Sequence, residues 1–225
     1  MTGTVTLYNK EGGRLHTTYV AASPEYGKET FLRKLENVIE NTKKIFPTDL
    51  TVGLADGARD NWPFLEKHTE FQVLDFYHAT EYLGAYSRAV IKDFGEQKEW
   101  MENACHNLKH KVGAAARLLH EFEDEATKKH KKIDQAIIDK TVTYFKNNIL
   151  KMKYSKMTDL NAPIGSGITE AACKVIVKER MCKSGMRWKE EGAHIVLKLR
   201  SMNHTEGHWD FFWRMVNKNG FEIAA

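Results

Sequence analysis

Leu50-Thr51-Val52-Gly53-Leu54-Ala55-Asp56-Gly57 runs from a strand into a turn within eight residues. The first six are apolar or β-favouring and predict a buried strand; the acid and glycine end it. A carboxylate there lies at the carboxyl end of a strand, the edge where open α/β folds place their sites. Alone, Asp-Gly after a strand is more often simply a turn.

Upstream, Thr4–Tyr8 and Leu15–Ala21 are β-rich and flank Asn9-Lys10-Glu11-Gly12-Gly13, a hairpin signal. Pro24 opens a helical stretch in which Phe31, Leu32, Leu35, Val38, Ile39 and Ile45 recur at helical spacing, and Pro47 ends it. Downstream, residues 61–67 predict a short helix and Phe71–Tyr77 another strand. The order strand, strand, helix, strand, helix, strand predicts an α/β fold with a mixed sheet. From Ala79 to about Tyr154 the chain turns rich in Ala, Leu, Lys and Glu and lacks proline, which predicts several helices, some with solvated runs such as Lys128-Lys129-His130-Lys131-Lys132. Leu160–Gly167 reads as a loop, Ile168–Lys183 and Gly192–Met202 as helices, and Trp209–Trp213 as an aromatic amphipathic segment. No repeat and no linker separates two domains.

Hydrophobic residues make up 42% and charged residues 28%, enough for a core and too patterned for a disordered tail. No apolar run approaches the roughly 20 residues needed to span a bilayer, and Met1–Tyr8 lacks a secretory pattern, so a cytoplasmic protein is expected. Cys105, Cys173 and Cys182 form neither a disulfide framework nor a zinc motif, and read as small buried residues. The net charge is +4, yet Ala171–Arg200 alone carries eight Lys and Arg against three Glu, a local +5. Such a patch suits a polyanion, although a solvated helix face accounts for charge equally well.

Four groups of residues bear on chemistry. Asp56 is one. Glu170 follows Pro163-Ile164-Gly165-Ser166-Gly167 into a helix, and is either a metal-side acid or a residue favoured by the helix dipole. Asp75 and His78, in Asp-Phe-Tyr-His, have a spacing that fits metal ligation or a strand-to-helix turn, with the structural role favoured. Lys174, Lys178, Arg180, Lys183 and Arg187, with Trp188, fit phosphate contacts and base stacking, or a surface with Trp188 in the core. Gly-x-Ser-x-Gly, nucleotide-binding glycine loops and His-Glu-x-x-His are absent, so Ser166 is no hydrolase nucleophile.

Five segments in order then become specific: Leu54-Ala-Asp-Gly-Ala58 with Asn61-Trp62, Leu74-Asp-Phe-Tyr-His-Ala79, Ala162-Pro-Ile-Gly-Ser-Gly167, Glu170-Ala-Ala-Cys-Lys174 and Ser184-Gly-Met-Arg-Trp188. Together they resemble the transposases of the ISKra type of bacterial insertion sequence, allied to Mutator-like and hAT transposases, over nearly the whole chain. The resemblance implies an RNase H-like mixed sheet interrupted by a large α-helical insertion. Residues 1–78 would be a partial core, 79–160 the insertion, and 161–225 the helices that return to the core with the last catalytic acid. It implies that Asp56 and Glu170, 114 positions apart, are the second and third acids of a DDE triad. Two divalent ions, Mg²⁺ or Mn²⁺, would be held by oxygen donors for DNA cleavage and strand transfer. Asp75 and His78 resemble the Asp/Cys-x-x-His signature of such enzymes.

The implied partners are DNA at transposon ends and target, with a homo-oligomer on DNA, no membrane, and a bacterial cytoplasm, nucleoid-associated when bound. The family's first aspartate sits on a central strand upstream of the hairpin, and no Asp or Glu precedes Glu11. The expectation is therefore a truncated or split frame, inactive alone unless an upstream fragment supplies that strand. A non-catalytic transposon-end DNA-binding remnant is the alternative, and an RNase H-like nuclease for branched DNA or hybrids is a third reading.

Overall fold

The computed structural model describes residues 1–48 and 50–220. It is mixed α/β, mostly helical with small sheets, and the chain divides into two compact units. One comprises Met1–Asp49 with Gly167–Ala225, the other Leu50–Ser166. Residues 221–225 of the C-terminal segment lie outside the described residues.

The first unit opens with strands β1 (Thr2–Tyr8) and β2 (Arg14–Ala21), paired antiparallel from Thr2↔Ala21 to Tyr8↔Arg14, with a register shift between Leu7 and Tyr8. The expected hairpin is present. Asn9 closes its loop: its carbonyl accepts from Gly12 N–H and its side-chain Oδ1 from Gly13 N–H. Helix α1 (Lys28–Ile45) follows a single 3-10 turn, Pro24–Tyr26. Phe31, Leu32, Leu35 and Val38 pack against Val20 and Ala22 of the hairpin. Ile45 ends the same apolar series at 69% exposed, so cover is confined to the earlier turns.

After Ser166 the chain returns as one long helical run. It comprises α8 (Gly167–Ala172), a π-helical turn at Cys173–Lys178 and α9 (Glu179–Met181). The predicted helix over 168–183 is therefore present, but widened in its middle. A wide turn displaces carbonyls from their usual acceptor line. Arg200, on α10 (Glu190–His204), meets two of them: its Nε donates to Ile176 O at 3.0 Å and its Nη2 to Val175 O. Ala172, Ile176 and Leu197 bury against Ala21. Thr4 Oγ1 and Thr169 Oγ1 share a hydrogen bond of 2.7 Å, and buried Thr205 Oγ1 accepts from Tyr19 N–H. These bonds attach α8 and the end of α10 to the hairpin. Helix α11 (His208–Asn219) carries the aromatic segment, in which Trp209, Phe212 and Trp213 touch one another.

The second unit begins with β3 (Val52–Ala55), α2 (Trp62–His68) and β4 (Phe71–Leu74), a compact βαβ unit whose strands pair in parallel, Val52↔Phe71 through Ala55↔Leu74. Two four-residue strands bury too little to stand alone. Helices α3 (Phe76–Val90), α4 (Phe94–His110), α5 (Ala114–Ala126), α6 (Lys132–Asn148) and α7 (Tyr154–Asp159) supply the rest. Leu83, Leu108, Phe122, Ile138, Phe145, Tyr154 and Met157 form one core with Ala55, Val73 and Leu74. Phe122 lies 4.3 Å from Tyr86 and 5.0 Å edge-on from Phe145, ring centre to ring centre.

Two expectations change in detail. The strand predicted to Tyr77 stops at Leu74, because Asp75 caps a helix: its side chain accepts from His78 N–H, and Phe76 and Tyr77 are helical. In place of one mixed sheet, the described residues form an antiparallel pair and a parallel pair. β1 and β3 are each paired along one edge only. No helix among the described residues is long and apolar enough to cross a membrane.

Candidate functional site

Asp56 is exposed immediately beyond the C-terminal end of β3. Its Oδ1 accepts from Ala58 N–H at 3.1 Å and faces Asn61 Nδ2 at 3.5 Å. The acid thus shapes its own turn through one oxygen. Gly57 follows at φ +97°, and a Cβ there would stand 3.1 Å from Leu74 Cδ1 and 3.6 Å from the Tyr144 hydroxyl. Both the backbone angle and the space call for glycine. Sequence reasoning left Asp-Gly as a turn or a site, and the structure shows the turn with its carboxylate facing solvent.

Beside this turn opens a cleft of about 640 Å³, lined among others by Gly57, Arg59, Trp62, Tyr82, Lys140 and Tyr144. Tyr82 and Tyr144 stack at 3.7 Å and 9°. Lys140 Nζ stands 5.5 Å from the Tyr82 ring centre. The Tyr144 hydroxyl is buried without a hydrogen-bond partner among the described residues. Burial chiefly, then Tyr82, Asp75 and Asp56, push its pKa far up, so it stays a neutral phenol. Sequence reasoning missed this wall. The signal for it is the series Lys140, Thr143, Tyr144, Asn147 and Asn148 at helical spacing in α6.

Asp75 is fully buried at the N-terminus of α3. Its Oδ1 accepts from His78 N–H at 3.1 Å and its Oδ2 from Ser166 N–H. Burial alone would raise its pKa. Hydrogen bonds from the Ser166 side chain and backbone, and from the backbones of His78 and Tyr77, outweigh that and hold it below the ordinary carboxylate range. Phe76 N–H reaches Ile164 O at 2.9 Å, so the loop before Gly167 is tied twice to the start of α3. Gly165 fits because a Cβ would lie 2.8 Å from the Tyr77 ring. The strand-to-helix role expected of this acid is therefore observed. His78 Nδ1 lies 3.6 Å from Asp75 Oδ1. Each carboxylate oxygen keeps a second lone pair, so this acid–imidazole pair also has a spacing open to a metal ion.

Asp56 and Asp75 follow the C-terminal ends of the parallel strands β3 and β4, at one end of the pair, and both act on Tyr144. Glu170 belongs to the other unit, exposed in the first turn of α8. Lys174, Lys178, Arg180, Lys183 and Arg187 are all exposed along the π-helical turn, α9 and the segment after it. Trp188 is half-buried, and the Arg180 guanidinium lies 5.0 Å from its ring centre, so one indole face is already covered. Arg200, counted with this basic segment in the sequence, is engaged with the Val175 and Ile176 carbonyls instead. Neither protein-family models, nor curated proteins, nor solved structures give a match to this chain.

Proposed function

We propose that this chain is catalytic-domain sequence of a DDE transposase, with an RNase H-like core, acting in metal-dependent DNA cleavage and strand transfer. Asp56 and Glu170 are its second and third acids. The observation that carries the proposal is Asp56: an exposed carboxylate beyond the C-terminal end of a parallel strand, with Oδ1 turned to its own loop. A hard oxygen donor presented in this way suits Mg²⁺ or Mn²⁺ better than softer metals. When bound, such ions supply charge for the attacking and leaving oxygens of a phosphodiester. The chain's own contributions are simpler. Asp56 and Glu170 offer carboxylate oxygens, the Asn61–Ala58 turn holds Asp56 in place, and the exposed cations from Lys174 to Arg187 face DNA phosphates.

The triad needs one more acid, which in this reading an upstream transposase fragment supplies. The test is Mn²⁺ binding to the purified chain by electron paramagnetic resonance, with duplex cleavage assayed beside an upstream fragment. Asp56→Asn and Glu170→Gln are each expected to weaken Mn²⁺ binding at least tenfold and to abolish cleavage. Binding unchanged in both variants refutes the assignment.

The alternative, a DNA-binding remnant of the same family, is favoured by the five exposed cations alone. Salt-sensitive duplex binding without Mn²⁺ affinity or cleavage decides for it.

A further inference from the structure

A second charged cluster lies within the first unit, on residues not assigned above. Lys34 on α1 places its ammonium 3.1 Å from His194 Nε2 on α10. An ammonium only donates. Nε2 is therefore the acceptor, the imidazole is neutral, and its proton is on Nδ1. That Nδ1 is buried and has no hydrogen-bond partner among the described residues. The Tyr26 ring stacks on the imidazole at 4.0 Å and 24°, which fixes its plane.

Further positive charge gathers here. Lys198, four residues beyond His194 on α10, acts on both Lys34 and His194, and Arg33 acts on Lys34. After burial, every resolved influence on either group is a cation, and each lowers the pKa. Glu190 and Glu191 stand a turn earlier on α10. Among the described residues, no carboxylate forms an ion pair with Lys34, His194 or Lys198. Long cationic side chains left to themselves diverge into water or seek acids. Here Lys34 is held instead against an ordered imidazole, with Lys198 and Arg33 near enough to act on the pair. The arrangement is complementary to a tetrahedral dianion or monoanion with several acceptor oxygens.

We propose that Lys34, His194 and Lys198, with Arg33 at the margin, form an oxyanion site that takes a phosphate group. A free phosphate and a nucleic-acid phosphodiester share this chemistry, and two arms of one experiment separate them. The full chain is titrated with inorganic phosphate at constant ionic strength in chloride, and separately with a short duplex DNA. The readouts are Tm and the NMR titration of the His194 imidazole. Lys34→Gln and Lys198→Gln are run alongside; both alter side chains at least partly exposed, so folding is preserved.

Bound phosphate is expected to raise the His194 pKa, reversing the influence of its cationic neighbours. It is also expected to raise Tm by about 3 °C at ten times its Kd. Both effects should disappear in Lys34→Gln. If inorganic phosphate does this, the site takes the free anion. If only the duplex does, the backbone phosphate is the ligand. If neither ligand moves His194, or if Lys34→Gln and Lys198→Gln respond as the parent does, the proposal is overturned. Asp56→Asn should leave the response intact, so the outcome is independent of the transposase reading.

Discussion

The backbone N–H of Ser166 donates to Oδ2 of Asp75, a residue 91 positions earlier and fully buried. Through that bond and the neighbouring Phe76–Ile164 bond, the helical excursion from α3 to α7 is closed at its base. Asp75→Ala removes the N-cap of α3 and leaves the Ser166 N–H without its acceptor. The expected loss is about 2–3 kcal/mol, read as a lowered urea midpoint for the second unit. A change under 0.5 kcal/mol would show that the carboxylate is not what holds the loop.

The same residue sets an acid limit. Its pKa is lowered in the folded chain, so the unfolded chain binds the proton more readily. The stabilisation is fully present above the unfolded aspartate pKa of about 3.9 and disappears as pH falls through the lower folded value. Asp75→Asn should therefore be less stable than the parent near neutrality and converge on it in strong acid. Parallel stability curves across that range would contradict the assignment.

Gly57 tests whether the turn at Asp56 is built to a fixed shape. Alanine there meets both a φ of +97° and Leu74 Cδ1 at 3.1 Å. A cost of about 1–2 kcal/mol is expected, measured by thermal melting. Mn²⁺ affinity should fall with it if Asp56 is a ligand. A Gly57→Ala chain with parental Tm would mean that the turn relaxes freely.

Basic residues close in sequence should behave oppositely. Arg200→Ala strips two carbonyls of the π-helical turn of their donor and should cost about 2 kcal/mol by denaturant titration. Lys174→Ala and Arg187→Ala, both exposed, should change stability by under about 0.5 kcal/mol. Each is nevertheless expected to lower the slope of log affinity for duplex DNA against log salt by about 1. Unchanged slopes in both would return these two residues to the role of solvating charge.

Much of this architecture is legible from local signals. The hairpin is announced by Asn9–Gly13, α1 by its apolar series, β3 by Val52–Ala55 and the loop before Gly167 by its proline and glycines, because each depends on nearby residues alone. The end of β4 is not, since Phe71–Tyr77 carries β-favouring residues on both sides of Asp75. Only the capping reach of Asp75 shows that the strand yields to a helix. The widened turn at Cys173–Lys178 escapes for a different reason. Its carbonyls are satisfied by Arg200, a residue no local window includes. The cleft wall on α6 is likewise invisible until Tyr82 arrives from α3 to stack on Tyr144. Asp56 and Asp75 were legible as candidates, whereas the Lys34–His194 contact, joining α1 to α10, had no signal in either segment.

The first unit is interrupted in sequence and the second is not. On the ribosome, Leu50–Ser166 would emerge whole and could close around Phe122 and Phe145 while the hairpin still waits for Ala172, Ile176 and Leu197 to cover Ala21. Folding order is thereby written into the chain: the nested segment matures early, and the Ala21 face of the hairpin stays open until Ala172, Ile176 and Leu197 have been made.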